Sequence, residues 1–231
     1  MDEPLVTIVV ISYNQGKYIK ENLDSIKSQT YRNIQLIVAD DASTDNSVEI
    51  FDQWLIKNNY SAVKNYHKQN TGLAPILNEC LDLIRGKYVK FIAADDYLHQ
   101  SAIEKCVKKL EESGSDYGMV FTDTYCINEN SAIQKDIDNY NFAGNLDRES
   151  FRRELLRGNR IAALTVVMRT SVIKETGQYN SELLVEDYFR WLKISEKYFI
   201  AYVSEKLAYY RLHNDNISKT KEERIGQEAF F

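Results

Sequence analysis

The sequence predicts an α/β fold built on a mostly parallel sheet flanked by helices, and three observations carry that expectation. Over residues 5–110, short β-branched runs alternate with longer segments whose apolar residues recur at helical spacing. Two of the runs are apolar at consecutive positions, as strands covered on both faces require. No repeat or low-complexity linker interrupts the alternation, and with only two prolines, Pro4 and Pro75, and nine glycines the chain offers no hinge between independent domains.

The first four strands are expected over residues 5–11, 34–39, 62–66 and 88–94. Three crossover helices lie between them. The third is the clearest, because Leu73, Ile76, Leu77, Cys80, Leu81 and Ile84 form one apolar stripe that must face the sheet. A fourth helix carries Ile103, Cys106, Val107 and Leu110 on one side, with Lys105, Lys108, Lys109, Glu111 and Glu112 as a solvated face. Beyond residue 115 the regularity fades into shorter, mixed strands over 117–125, 164–168, 199–203 and 207–212. Helices are expected there over 147–157 and 186–197, the latter with Tyr188, Trp191, Leu192 and Ser195 on one face. The charged run 219–231 ends in Phe230-Phe231 and is expected to begin a helix of a longer protein.

A chain of 231 residues with 44% apolar and 12% aromatic composition can bury one substantial core. Its net charge of -5 argues against nucleic acid as a partner, since neutralising phosphates takes a basic face. Cys80, Cys106 and Cys126 are odd in number and show no paired spacing, so they read as small buried hydrophobes in a reducing compartment. The opening MDEPLVTIVVIS places acids where a secretory signal has lysines, and no apolar run approaches the length of a bilayer span. A soluble cytoplasmic protein is expected, with peripheral contact at the inner face of the cell membrane left open.

In an open parallel sheet, ligands bind beyond the carboxyl ends of the strands. Here those ends are consistently polar: Ser12-Tyr13-Asn14, then Asp40-Asp41-Ala42-Ser43-Thr44-Asp45, then Gln69-Asn70-Thr71-Gly72, then Asp95-Asp96. Buried carboxylates cost several kcal/mol unless paired or bound to a cation, so core building does not explain the pattern. Asp45 is expected to serve the start of the following helix. For Asp95-Asp96 two readings stand side by side, a divalent cation held with substrate phosphates and a turn before the helix near Gln100.

The motifs VTIVVISYN, VADDASTDNS, NTG, GKYVKFIAADDYL, LLVEDYFRWLKI and LAYYRLHNDNIS, in this order and spacing, resemble family 2 glycosyltransferases, inverting enzymes of GT-A fold. The resemblance runs from Val6 to Ser218. It implies a Rossmann-like GT-A sheet with a mixed-strand acceptor-side lobe in a single domain, with residues 1–97 as the nucleotide-binding half, 98–218 as the acceptor-side half and 219–231 as a tail. It also implies a hexosyl- or N-acetylhexosaminyltransferase that uses a sugar nucleotide, most simply a UDP-sugar, with Mn²⁺ or Mg²⁺, acting on a glycan or lipid-linked glycan in cell-surface polysaccharide or glycoconjugate synthesis. By the same resemblance Tyr13 lies against the base, Asp41 meets base or ribose, Asn70 and Gly72 belong to the nucleotide site, and Asp95 or Asp96 takes the metal while its neighbour meets ribose. His213 would approach the metal, and Asp187 would be the catalytic base. Ala93 stands where many members carry a further Asp, and the third crossover helix lacks their Arg or Lys near its start.

Single displacement with a general base accounts for these residues, and no second nucleophile for a retaining route is in evidence. A phosphoryl-accepting receiver domain would be about half this length and would leave Glu186-Asp187 and His213 without a role. A catalytically silent sugar-nucleotide or glycan-binding module is the second alternative. Dinucleotide dehydrogenases and P-loop enzymes lack support, because neither glycine fingerprint occurs. Asp187 has a structural reading as well, as an acid at the start of a helix.

Overall fold

The computed structural model describes residues 3–134, 146–214 and 216–228. Its elements are β1 (Val6–Ser12), α1 (Gly16–Lys27), β2 (Ile34–Asp40), α2 (Ser47–Asn58), β3 (Ala62–Tyr66), α3 (Leu73–Leu83), β4 (Tyr88–Ala93), β5 (Tyr97–Leu98), α4 (Ala102–Ser113), β6 (Tyr117–Ile127), α5 (Arg148–Leu156), β7 (Val167–Arg169), α6 (Thr170–Thr176), α7 (Glu186–Lys197), β8 (Phe199–Arg211), α8 (Ile217–Thr220) and α9 (Glu222–Glu228). The strands form one eight-stranded sheet ordered β3-β2-β1-β4-β7-β6-β8-β5. β3, β2, β1 and β4 run parallel, whereas β7 is antiparallel to both of its neighbours and β5 is antiparallel to β8.

Helices cover both faces of the sheet, which is why its central strands are apolar at successive positions. Val6, Ile8 and Val10 of β1 pack with Ile19 and Leu23 of α1, Phe51 and Trp54 of α2, and Ile103 and Leu110 of α4. Val9 faces the other way, toward Ile76 and Cys80 of α3, Leu155 of α5, Ile173 of α6, and Trp191 and Ile194 of α7. Full burial of each such aliphatic side chain contributes roughly 1.5–3 kcal/mol. Among the described residues no helix is long and apolar enough to cross a membrane.

The structure departs from the sequence expectation mostly in the second half. Instead of a strand over 164–168, a 3-10 turn at Ala163–Thr165 precedes the short β7. Lys90, buried in the middle of β4, explains this: its ammonium donates to the carbonyls of Leu164 at 2.5 Å and Val166 at 3.4 Å, drawing them away from strand pairing. The two strands expected over 199–203 and 207–212 are one, β8, whose extra residues are taken up by register shifts opposite Asp123 of β6. β5 and α6 were not anticipated. Two short helices, α8 and α9, occupy residues 217–220 and 222–228, while Phe230 and Phe231 lie outside the described residues.

Candidate functional site

The carboxyl ends of β1 and β2 are laced together by their own polar residues. The Asp40 carboxylate accepts hydrogen bonds from the Ser43 amide at 2.8 Å and the Ser43 hydroxyl at 2.7 Å, and that hydroxyl oxygen accepts from the Asn14 amide at 2.8 Å. Asn14 answers through its side-chain oxygen, which accepts from the Thr44 amide at 2.8 Å. Asn14 and Ala42 both adopt left-handed backbone, with φ of 56° and 61°, an uncommon state for residues with a Cβ. Tyr13 stands on this loop pair with 48% of its surface exposed. Asp45 serves two helices, accepting from the Ser47 amide of α2 at 2.9 Å and the Gly16 amide of α1 at 3.0 Å. Only a side chain smaller than alanine fits at Gly16 without movement, since a Cβ there would lie 2.4 Å from Asn46 Oδ1.

Asp41 is buried where β2 meets the loop after β3. Its Oδ1 accepts from the Thr71 amide at 2.9 Å and the Thr71 hydroxyl at 3.1 Å, and its Oδ2 accepts from the Gly72 amide at 2.7 Å. Asn70 donates to the Asp41 carbonyl at 3.3 Å. Gly72 has φ of 92° with open space around it, so backbone conformation rather than room calls for glycine. His67 closes the group: Nδ1 lies 2.8 Å from Asp41 Oδ1 and Nε2 lies 2.8 Å from Glu79 Oε2. Burial alone would lower the His67 pKa, but the Glu79 and Asp41 carboxylates outweigh it and raise it above its ordinary value.

Asp95 and Asp96 occupy the turn after β4, both buried. His213 Nε2 lies 2.8 Å from Asp95 Oδ2, while Asp95 Oδ1 is buried with no hydrogen-bond partner. Asp96 Oδ1 accepts from the Arg211 amide at 2.9 Å. Burial, and then the neighbouring Asp95 charge, raise the Asp96 pKa well above its ordinary value. Arg211 holds the turn in place. Its Nε donates to the Asp95 carbonyl at 2.7 Å, one terminal nitrogen donates to Asn128, Glu129 and Ser131, and the other pairs with Glu21 of α1. The guanidinium lies 4.5 Å from the centre of the Tyr18 ring, which also stacks on His213 at 5.6 Å.

Among the described residues no three His, Cys, Asp or Glu side chains gather into a cation cage. Asp95 and His213 nevertheless offer one oxygen and one nitrogen donor side by side, together with an unsatisfied carboxylate oxygen. Two protein ligands fit a hard divalent ion that takes its remaining positions from phosphates and water.

Asp187 lies in the first turn of α7 beside Glu186. Its Oδ1 accepts from the Tyr188 amide at 2.6 Å, and the Asn159 side chain also hydrogen-bonds to it. Burial raises both acids, Asp187 to about 6 and Glu186, with the added effect of its neighbour, to about 8. The antiparallel pairing Tyr88↔Arg169 and Val89↔Met168 carries the chain preceding β7 toward the carboxyl end of β4. Through Asn159 the start of α7 is thereby tied to the chain that approaches the same sheet edge.

Four buried polar atoms at this edge have no hydrogen-bond partner: Ser12 Oγ, Gln15 Oε1, Asn22 Oδ1 and Asp95 Oδ1. Such atoms are rare in native interiors and mark places where water or ligand completes the structure. The structure thus brings Tyr13, Asp41, Asn70, Gly72, Asp95, Asp96 and His213 to the loops of one sheet edge. His67, Glu21, Asn22 and Arg211 escaped the sequence reading. His67 directly follows β3, and Arg211 stands two residues before His213, so strand-end position was the available signal.

Comparison with known proteins bears on the fold and the family. A Bacillus subtilis glycosyltransferase whose name assigns it to teichuronic acid biosynthesis is 30% identical over 95% of this chain and 83% of its own length. The structure of Staphylococcus aureus TarS residues 1–349 in complex with UDP superposes with a TM-score of 0.73 and 20% identity, covering 91% of this chain and 61% of that one. The Pyrobaculum calidifontis mannosyltransferase PcManGT, solved with GDP-Man and Mn²⁺, gives a TM-score of 0.73 and 18% identity over 94% of this chain and 59% of that one. The chain therefore spans about three-fifths of these solved structures. Their shared GT-A architecture is the α/β arrangement described above. The profile of glycosyl transferase family 2 matches residues 7–175, and with the fold and the strand-end motifs in agreement, the chain belongs to that family of glycosyltransferases.

Proposed function

We propose that this glycosyltransferase moves a sugar from a UDP-sugar to a hydroxyl of a glycan or lipid-linked glycan, with inversion, during synthesis of a cell-surface polysaccharide. The observation that carries the reading is Asp95, a buried carboxylate with one oxygen on His213 and the other unpartnered at the carboxyl edge of a parallel sheet. The UDP and GDP-Man complexes of the two similar structures and the teichuronic acid relative support a sugar-nucleotide donor and a polysaccharide product. The buried cysteines Cys80, Cys106 and Cys126 suit a reducing, cytoplasmic setting.

In this reading the exposed ring of Tyr13 stacks on the base. Asp41 shapes the Asn70–Gly72 turn and keeps Oδ2, which takes only the Gly72 amide, for a donor on base or ribose. Asp95 and His213 would hold Mn²⁺ or Mg²⁺, and Asp96, turned to the Arg211 amide, supports the turn. Bound there, such an ion would supply Lewis-acid stabilisation for a departing diphosphate. Asp187 takes the proton of the acceptor hydroxyl as it attacks, and its raised pKa makes it a stronger base than an ordinary aspartate.

Two variants test the assignment together. Asp95→Ala should abolish the Mn²⁺ dependence of UDP binding measured by calorimetry. Asp187→Asn should bind UDP as the parent does and release UDP from its donor roughly 10²–10⁴-fold more slowly. Metal-dependent binding by Asp95→Ala would refute the metal site, and near-parental turnover by Asp187→Asn would refute the base.

A further inference from the structure

The start of α7 carries Glu186 and Asp187 but lacks a cap of its own. Val185 occupies the N-cap position, where Ser, Thr, Asp or Asn normally satisfy the free amides, and it offers no side-chain bond. A residue of α9 fills the gap. Glu228 Oε2 accepts from the Leu184 amide at 2.6 Å and the Val185 amide at 3.2 Å. Glu228 is itself held, because Arg224 donates from Nε to its Oε1 at 2.8 Å and from a terminal nitrogen to the Glu182 carbonyl at 2.6 Å. The Glu228 side chain is only 10% exposed, while that of Arg224 is 52% exposed. None of this falls within residues 7–175, the span that matches the family profile.

We propose that α9 is a strap across residues 182–185, and that Glu228 is the positioning residue that sets the Glu186-Asp187 pair for proton abstraction. The proposal rests on the reading of Asp187 as the base. Two amides bound to one carboxylate fix the backbone entering α7, and a carboxylate two residues further on inherits that placement. Glu228 also adds a third negative charge beside the pair, acting on Glu186 after burial and Asp187, with the Arg190 guanidinium opposing it.

A cap that merely stabilises the fold would change stability and leave turnover alone, so the test separates the two. Glu228→Ala removes acceptor and charge, Glu228→Gln keeps an acceptor oxygen, and Arg224→Ala releases the strap while leaving the Glu228 carboxylate in the chain. Amide exchange by mass spectrometry should show residues 182–188 exchanging faster in Glu228→Ala and Arg224→Ala than in the parent. With the sugar nucleotide that gives the fastest UDP release from the parent, turnover should fall about tenfold in Glu228→Ala and in Arg224→Ala, stay above about half in Glu228→Gln, and leave UDP affinity in Mn²⁺ within about twofold. Unchanged turnover in Glu228→Ala despite faster exchange would overturn the proposal, as would a parallel loss of UDP affinity or unchanged exchange. Asp187→Asn, measured beside them, reports separately on the base: if it retains turnover, that reading fails whatever Glu228 does.

Discussion

Both ring nitrogens of His67 face carboxylate oxygens, so both hydrogen bonds exist only while the imidazole carries two protons. Its folded pKa is raised above the ordinary 6.5, so the stability it contributes is fully present below that value and is lost as pH rises through the folded one. Because Asp41 shares this clamp with the Thr71–Gly72 turn, UDP affinity should weaken on the alkaline side, and His67→Gln should bind more weakly at low pH with a flatter profile. Calorimetry from about pH 6 to 9 checks it. Asp187 behaves in the opposite sense for activity. Its folded value of about 6 means that transfer should fall as pH drops below that point, while the extra proton held by the native state makes this carboxyl's contribution to stability decline as pH rises from 3.8 through about 6. Rates of UDP release at saturating donor across that range measure the limb.

At the scale of elements, Asp45 joins the first turns of α1 and α2, so Asp45→Ala should cost about 1–2 kcal/mol and Asp45→Asn much less. Urea denaturation gives the difference. The helices legible in the sequence are the longer ones: α1, α2 and α3 as crossovers, α4 by its stripe, and α5 and α7, whose expected bounds 147–157 and 186–197 meet Arg148–Leu156 and Glu186–Lys197. β5 and α6, of two and seven residues, are too short to show a period, and the strand expected over 164–168 yielded to a buried ammonium that no local pattern announces. The placement of the candidate site's strand-end residues was legible for the same reason as the strands, because parallel topology sends every strand end to one edge. Its pairings were not. His213 meets Asp95 across 118 residues and Glu228 meets Leu184 across 44, and only tertiary packing decides such partners.

For the whole molecule, Arg211 connects what the two halves of the sheet contribute. It bonds to the turn after β4, to the loop after β6 and to Glu21 of α1, and it is almost fully buried. Removing it strands a half-exposed carboxylate and several buried carbonyls, so Arg211→Ala should destabilise the fold by roughly 3 kcal/mol or more. Arg211→Lys keeps the charge but not the planar fork and should recover only part of that loss. Thermal unfolding with and without UDP and Mn²⁺ reads both effects, since a ligand that binds only the native state raises the midpoint with its concentration.

The left-handed residues Asn14 and Ala42, fixed by the lattice of bonds between the β1 and β2 loops, have a kinetic consequence. Strained backbone that is held by its surroundings is already in its final shape when a ligand arrives. In the proposed reading, nucleotide capture at this edge is docking onto a rigid surface, without a folding step to slow it. Differences in affinity among related sugar nucleotides should therefore reside in how long each stays bound, with encounter rates nearly common to all of them.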